Sequence, residues 1–137
     1  MRIEPYLNLC GRCDEAIAFY RQALGAEVAM LIRFDEAPDP PPPGVLVPGW
    51  EHKVMHASLQ IGGATLMASD GTGRETPGFV GVTLSIATTD LAAAARMFDA
   101  LADGGEVQMP LGKTFWSPAF GMVKDRFGVA WMLNGEA

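Results

Sequence analysis

The side chains here that could do chemistry are two histidines, one cysteine pair and a scatter of hydroxyl, thioether and indole groups. His52 and His56 stand four residues apart. On one strand both would face the same side, with Cα atoms about 13 Å apart, too far to share a metal ion. No spacing pairs His56 with Glu4 or Asp70. A lone histidine on a sheet face is either a hydrogen-bonded structural group or a ligand contact, and His56 is a candidate for either role.

Cys10-Gly11-Arg12-Cys13 is a C-x-x-C pair at a strand-to-helix junction, the setting that lowers a thiol pKa in redox proteins. Two cysteines cannot complete a tetrahedral zinc site, and there is no second pair. The plainer reading packs Cys13 as a small apolar residue inside the first helical turn. Gly71-Thr72-Gly73 fails as a phosphate loop, because Pro77 and Gly78 follow where a helix should start. Ser69, Asp70 and Ser85 lack the turn that presents a hydrolase nucleophile. No glycine-rich strand-to-helix turn offers a seat to a nucleotide-like cofactor. Trp50, Trp116, Trp131 and Phe120 could wall a pocket or fill a core, and Trp116, in a loop, is the better pocket candidate.

The 137 residues suffice for one ordinary domain or two small modules. Hydrophobic residues at 49% against 19% charged can build an interior, which excludes disorder for the chain as a whole. Sixteen acidic against ten basic residues leave a net charge of −6, a sign that repels phosphate backbones and anionic lipid. No apolar run reaches the roughly 18 residues of a membrane span. Met1-Arg2-Ile3-Glu4-Pro5 has no apolar signal core. The expectation is a cytoplasmic chain without nucleic-acid or membrane partners.

Alternation and breakers set the elements. Strands are expected at 3–9, 27–34, 54–61, 64–69, 80–87, 106–110, 120–124 and 129–133. One helix carries Cys13, Ile17, Tyr20 and Leu24 at helical spacing and stops at Gly25. Another starts at Asp90, shows a Leu91, Ala94, Ala95, Phe98, Leu101, Ala102 stripe, and stops at Gly104-Gly105. Pro40-Pro41-Pro42-Pro43 lies in a 35–49 loop that prefers extended geometry and is a candidate cover.

The halves repeat. Gly25-Ala26-Glu27-Val28-Ala29-Met30 and Gly104-Gly105-Glu106-Val107-Gln108-Met109 agree at four of six positions. Gly63-Ala64-Thr65-Leu66-Met67 stands opposite Gly128-Val129-Ala130-Trp131-Met132. A duplicated βαβββ unit is the economical reading: module one 1–70, linker 71–79, module two 80–137 of a single domain. One face of the strands, Leu7, Leu9, Met55, Ala57, Leu59, Ile61, Val82, Leu84 and Ile86, can pack under the helices. The other carries Tyr6, Asn8, His52, Val54, His56, Ser58, Gln60, Thr83 and Ser85. These are mostly small and neutral, which suits a small-molecule cleft better than an open surface.

Ala16-Ile17-Ala18-Phe19-Tyr20 with Leu24-Gly25-Ala26-Glu27 resembles the vicinal oxygen chelate superfamily of glyoxalases, dioxygenases and bleomycin-resistance proteins. Pro5-Tyr6-Leu7, Val54-Met55-His56-Ala57, Thr114-Phe115-Trp116 and the segment Phe120 to Met132 resemble its PhnB-like subgroup. The resemblance implies an α+β fold of two paired βαβββ modules, with curved mixed sheets around a cleft, helices outside, and a homodimer. It also implies a divalent metal bound by His, Gln or Glu from the first and last strand of each module. At the matching positions stand Glu4 (or Pro5), Gly81 (or Val82), Met67 and Met132, of which one at most is a hard ligand. The expected protein holds no metal or other cofactor, and no catalytic residue is assigned. It binds a small organic molecule through Tyr6, Asn8, His56, Ser58, Gln60, Met67, Trp116, Phe120 and Met132. The alternative is a lyase, isomerase or dioxygenase with unconventional ligands.

Overall fold

The computed structural model describes residues 1–137. They form two compact units, Met1–Pro77 and Gly78–Ala137. The first runs β1 (Tyr6–Asn8), α1 (Cys13–Leu24), β2 (Glu27–Arg33), a short 3-10 turn (Phe34–Glu36), β3 (Val54–Ile61) and β4 (Ala64–Ser69). The second runs β5 (Thr83–Thr88), α2 (Leu91–Ala102), β6 (Glu106–Gly112), β7 (Phe120–Lys124) and β8 (Ala130–Gly135). Each unit has one four-stranded mixed sheet, in the orders β1-β4-β3-β2 and β5-β8-β7-β6. The first and last strands of each unit are parallel; the other pairs are antiparallel. The expected α+β class and the βαβββ duplication are what the chain adopts.

Helix α1 forms because Cys13, Ala16, Ile17, Tyr20, Ala23 and Leu24 recur on one face, and all are buried. Gly25 ends it at φ 66°, donating its N–H to the Arg21 carbonyl at 3.1 Å. Its start has no side-chain cap at Arg12. Asp70, fully buried at the end of β4, supplies one from a distance: it accepts from the Cys13 N–H at 2.8 Å and the Val54 N–H at 2.9 Å. Helix α2 is capped locally, with Asp90 accepting from the Ala93 N–H at 3.0 Å. It buries Ala94, Phe98 and Leu101. Leu59, Leu101 and Leu133 are essentially inaccessible, and each such side chain contributes about 1.5–3 kcal/mol.

Both sheets carry a bulge at the same place in the repeat. Val28 faces Leu59, but Met30 faces Ser58, so Ala29 is the extra residue. Val107 faces Val123, but Met109 faces Met122, so Gln108 is extra. Each bulge reverses the alternation. Met30 and Met109 therefore stand on the face away from the helix, where a regular strand would have put Ala29 and Gln108.

Several expected details differ. The first strand is Tyr6–Asn8 rather than 3–9, since Pro5 has no N–H for the ladder and Ile3 is fully exposed. Gly81 at φ 85° delays β5 to Thr83, leaving Val80 outside the strand and Val82 exposed rather than under a helix. Met55 and Ile61 are only half-buried. His52 precedes β3 in a turn, so the four-residue strand argument does not reach it. Val54, expected on the open face, is fully buried.

Candidate functional site

In the first unit β1, β4 and β3 lay their alternate residues side by side. Tyr6 pairs with Met67, Met67 with Ser58, and Ser58 with Met30, giving one row across the sheet on the face away from α1. Gln60 and Thr65 form the next row and are joined by a 2.9 Å hydrogen bond from Gln60 Nε2. Ser58, Gln60, Thr65 and Met67, together with Arg2, Ile3, Glu4 and Pro5 before β1 and Gly63 and Ala64 of the hairpin, enclose an open cavity of about 760 Å³. That volume lies within the range of small-molecule sites. Glu4 is its carboxylate, largely covered and 3.5 Å from the Arg2 guanidinium.

Tyr6 reaches over β4 to His56, with its hydroxyl 3.1 Å from Nδ1 and the ring centroids 5.5 Å apart. The pair shares the face of this cavity without lining it. Asn8 is engaged locally, its Oδ1 accepting from the Cys10 N–H at 3.0 Å. His52 lies elsewhere, 2.7 Å from the Asp35 carboxylate and exposed. Trp50 serves the fold: its Nε1 donates to the Gly71 carbonyl at 2.9 Å, and its ring stacks under Lys53. The proline run does not cover the sheet face. Pro40–Pro43 close a separate cavity of about 270 Å³ with Phe34, Asp35, Gly44, Leu46 and Glu51.

In the second unit Met132 pairs with Ser85 on one side and Met122 on the other, and Met122 pairs with Met109. Phe120 lies opposite Asn134 on the same face, and Trp116 meets the Phe120 ring edge-on at 5.3 Å. Trp131 faces the other way and is buried, its Nε1 donating to Asp125 at 2.9 Å. The residues missed from sequence are instructive. Thr65, Met122 and Asn134 obey plain alternation and could have been found from it. Met30 and Met109 could not, because each bulge inverts the pattern.

The cysteines are not poised for redox chemistry. Cys13 is inaccessible, and its thiol is pushed up to about 12 by burial first and then by the carboxylates of Asp70 and Asp14. Cys10 is raised as well, by burial and by Glu75 and Asp70. A reactive thiol needs the opposite environment. Both are free, and neither thiol sits in the electropositive setting that the redox reading requires. Asp14 is itself held below the usual carboxylate range by Arg33, which grips it through two hydrogen bonds of 2.9 Å.

A divalent metal of the kind the resemblance implies finds no fitting donor set. The first unit offers Glu4 and the Met67 thioether; the second offers Met132, with Gly81 and Val82 lacking any ligating group. No three His, Cys, Asp or Glu side chains are grouped to hold an ion. Thioethers are soft donors, mismatched to hard divalent ions.

Residues 2–133 match the family model for the Glyoxalase/Bleomycin resistance protein/Dioxygenase superfamily. The chain is 36% identical over 141 residues to Protein YjdN of Escherichia coli, covering 98% of this chain and 95% of that one. Among solved structures, protein PA1353 from Pseudomonas aeruginosa is 44% identical, with a TM-score of 0.86 over 99% of this chain and 98% of that chain. A PhnB protein from Bacillus cereus, described as a putative 3-demethylubiquinone-9 3-methyltransferase, is 27% identical, with a TM-score of 0.79 over 99% and 100%. The chain belongs to the glyoxalase/bleomycin resistance/dioxygenase superfamily and has PhnB-like neighbours.

Proposed function

We propose that this superfamily member binds a small organic molecule on its sheet faces and does so without the divalent metal its relatives' chemistry would use. The observation that carries this is the cavity of about 760 Å³ over β3 and β4, lined by neutral polar and apolar groups and by one ion pair, Glu4 with Arg2. Ser58, Gln60 and Thr65 can exchange hydrogen bonds with a ligand, and Met67 can adapt to its shape. Tyr6 and His56 supply a hydroxyl and an imidazole beside it. Methyl transfer draws no support, because no glycine-rich strand-to-helix turn seats a nucleotide-like cofactor. The family resemblance supports a homodimer, which light scattering on the purified chain tests, and the composition supports a place in the cytoplasm.

A thermal-shift screen of a small-molecule library tests the proposal. A binder should raise Tm in a saturable way. Gln60→Ala and His56→Ala should each weaken a confirmed binder by roughly tenfold, the loss of about one good hydrogen bond. Binders indifferent to both changes, or none at all, would count against it.

A further inference from the structure

The face of the second sheet has a composition that specifies a ligand class. The strand register gives it in three rows. One end row runs Thr83, Ala130, Lys124 and Glu106. The middle row runs Ser85, Met132, Met122 and Met109. The other end row runs Ala87, Asn134, Phe120 and Gly112. Three adjacent thioethers thus form a strip about 10 Å wide, two strand spacings. Charged residues stand about 7 Å from it on one side, and Phe120, Asn134 and the Trp116 ring on the other. Met109 is exposed and Met122 and Met132 are half-exposed, so the strip is accessible.

Methionine sulfur packs favourably against aromatic rings, and its flexible chain fits rings of different outline. Phe120 and Trp116, already edge-to-face, can extend that contact to a third ring. The polar anomaly of the molecule lies beside them. Asn134 Oδ1 is buried and accepts no hydrogen bond. An acceptor left in that state costs about 1–3 kcal/mol, and native structures rarely leave one without a purpose. The terminal torsion of an asparagine is soft, so its amide can turn its oxygen toward a donor on the face.

We infer that the Met109–Met122–Met132 strip with Phe120 and Trp116 is a platform for a planar aromatic molecule of about two fused rings, anchored by a ligand N–H or O–H on Asn134. This rests on the reading of the chain as a binder of small organic molecules and adds the chemical class and the polar anchor. The strip's width matches two fused rings, and the donor requirement follows from Asn134.

Indole and benzofuran test it. They share shape, and only indole carries an N–H. Titration of the isotopically labelled full chain, followed by amide chemical shifts, locates binding and measures it. Indole should perturb β7 and β8 saturably, and benzofuran should bind the same place roughly tenfold more weakly. Asn134→Leu should abolish that preference, while Met122→Gln should weaken both probes; retained dispersion of the spectrum shows that each variant folds. Equal affinity for the two probes, as when a water satisfies Asn134, would overturn the anchor. Saturable shifts confined to Ser58, Gln60 and Met67 would overturn this platform yet leave small-molecule binding on the first sheet intact. No saturable shift from either probe would also overturn the inference, whereas the broader binding reading falls only if the library screen fails too.

Discussion

Asp70 shows how one side chain can carry more than its place in the sequence suggests. It is inaccessible, and its two oxygens accept from the Cys13 and Val54 backbone N–H groups. It therefore ties the start of α1 to the start of β3, as Asp90 caps α2 from its own chain neighbour. Hydrogen bonds to a charged group are worth about 1.5–3 kcal/mol each, so Asp70→Ala should cost roughly 3–5 kcal/mol in urea unfolding, and Asp90→Ala only about 1 kcal/mol. A similar loss from both would mean that the long-range cap is not a special tie. Cys13 gives a pH signature. Its thiol is raised in the folded state, to about 12 from an ordinary value near 9. The unfolded chain then loses this proton first as pH rises. Stability should fall between pH 9 and 12 by up to about 1.4 kcal/mol per pH unit from this group. Below pH 9 both states hold the proton and the contribution is complete. Cys13→Ala should flatten that part of the stability curve relative to wild type; an unchanged slope would show that the thiol is not shielded.

At the scale of elements, the twin bulges decide which side chains face a ligand. Removing Gln108, the extra residue, should restore regular pairing in β6 with Met109 still opposite Met122 on the open face. The residues beyond the deletion keep their faces, so the urea midpoint should fall only modestly. A large fall would mean that the strand carries no bulge, because a one-residue slip would then exchange the two faces of everything beyond the deletion. The bulges also explain what could be read without coordinates. Alternation and breakers mark both helices, β3, β4 and β7 with their limits, because Gly25, Gly62-Gly63, the acidic first turn of α1 and the Asp90 cap of α2 are local signals. The duplication was legible from Glu27-Val28 and Glu106-Val107. The placement of Met30 and Met109 was not, because a bulge leaves no mark on hydrophobic period. The plainer reading of the C-x-x-C pair, Cys13 packed inside the first helical turn, is the one the structure bears out; the motif alone could not decide, because thiol acidity depends on burial and on Asp70, 57 residues away from Cys13. The Tyr6–His56 pair joins residues 50 apart, which spacing alone could not pair.

At the scale of the whole molecule, the chain has its superfamily's fold, and the positions where the resemblance implies metal ligands offer few groups that could bind a hard divalent ion. Two of the expected ligand positions are methionine, one is glycine or valine, and the remaining carboxylate, Glu4, lies beside Arg2. A neighbouring guanidinium competes with a cation for that carboxylate. The two sheet faces instead present polarizable, adaptable side chains, and the first also holds an open cavity. The most direct test of this account is metal analysis of protein purified without chelator or nickel resin, with thermal shifts in Mn, Fe(II), Co, Ni and Zn on the same sample. The account predicts metal far below one equivalent and no saturable rise in Tm, with Glu4→Gln behaving as wild type. Near-stoichiometric metal, or a rise saturating at micromolar ion and lost in Glu4→Gln, would contradict it and make metal-dependent catalysis the primary reading.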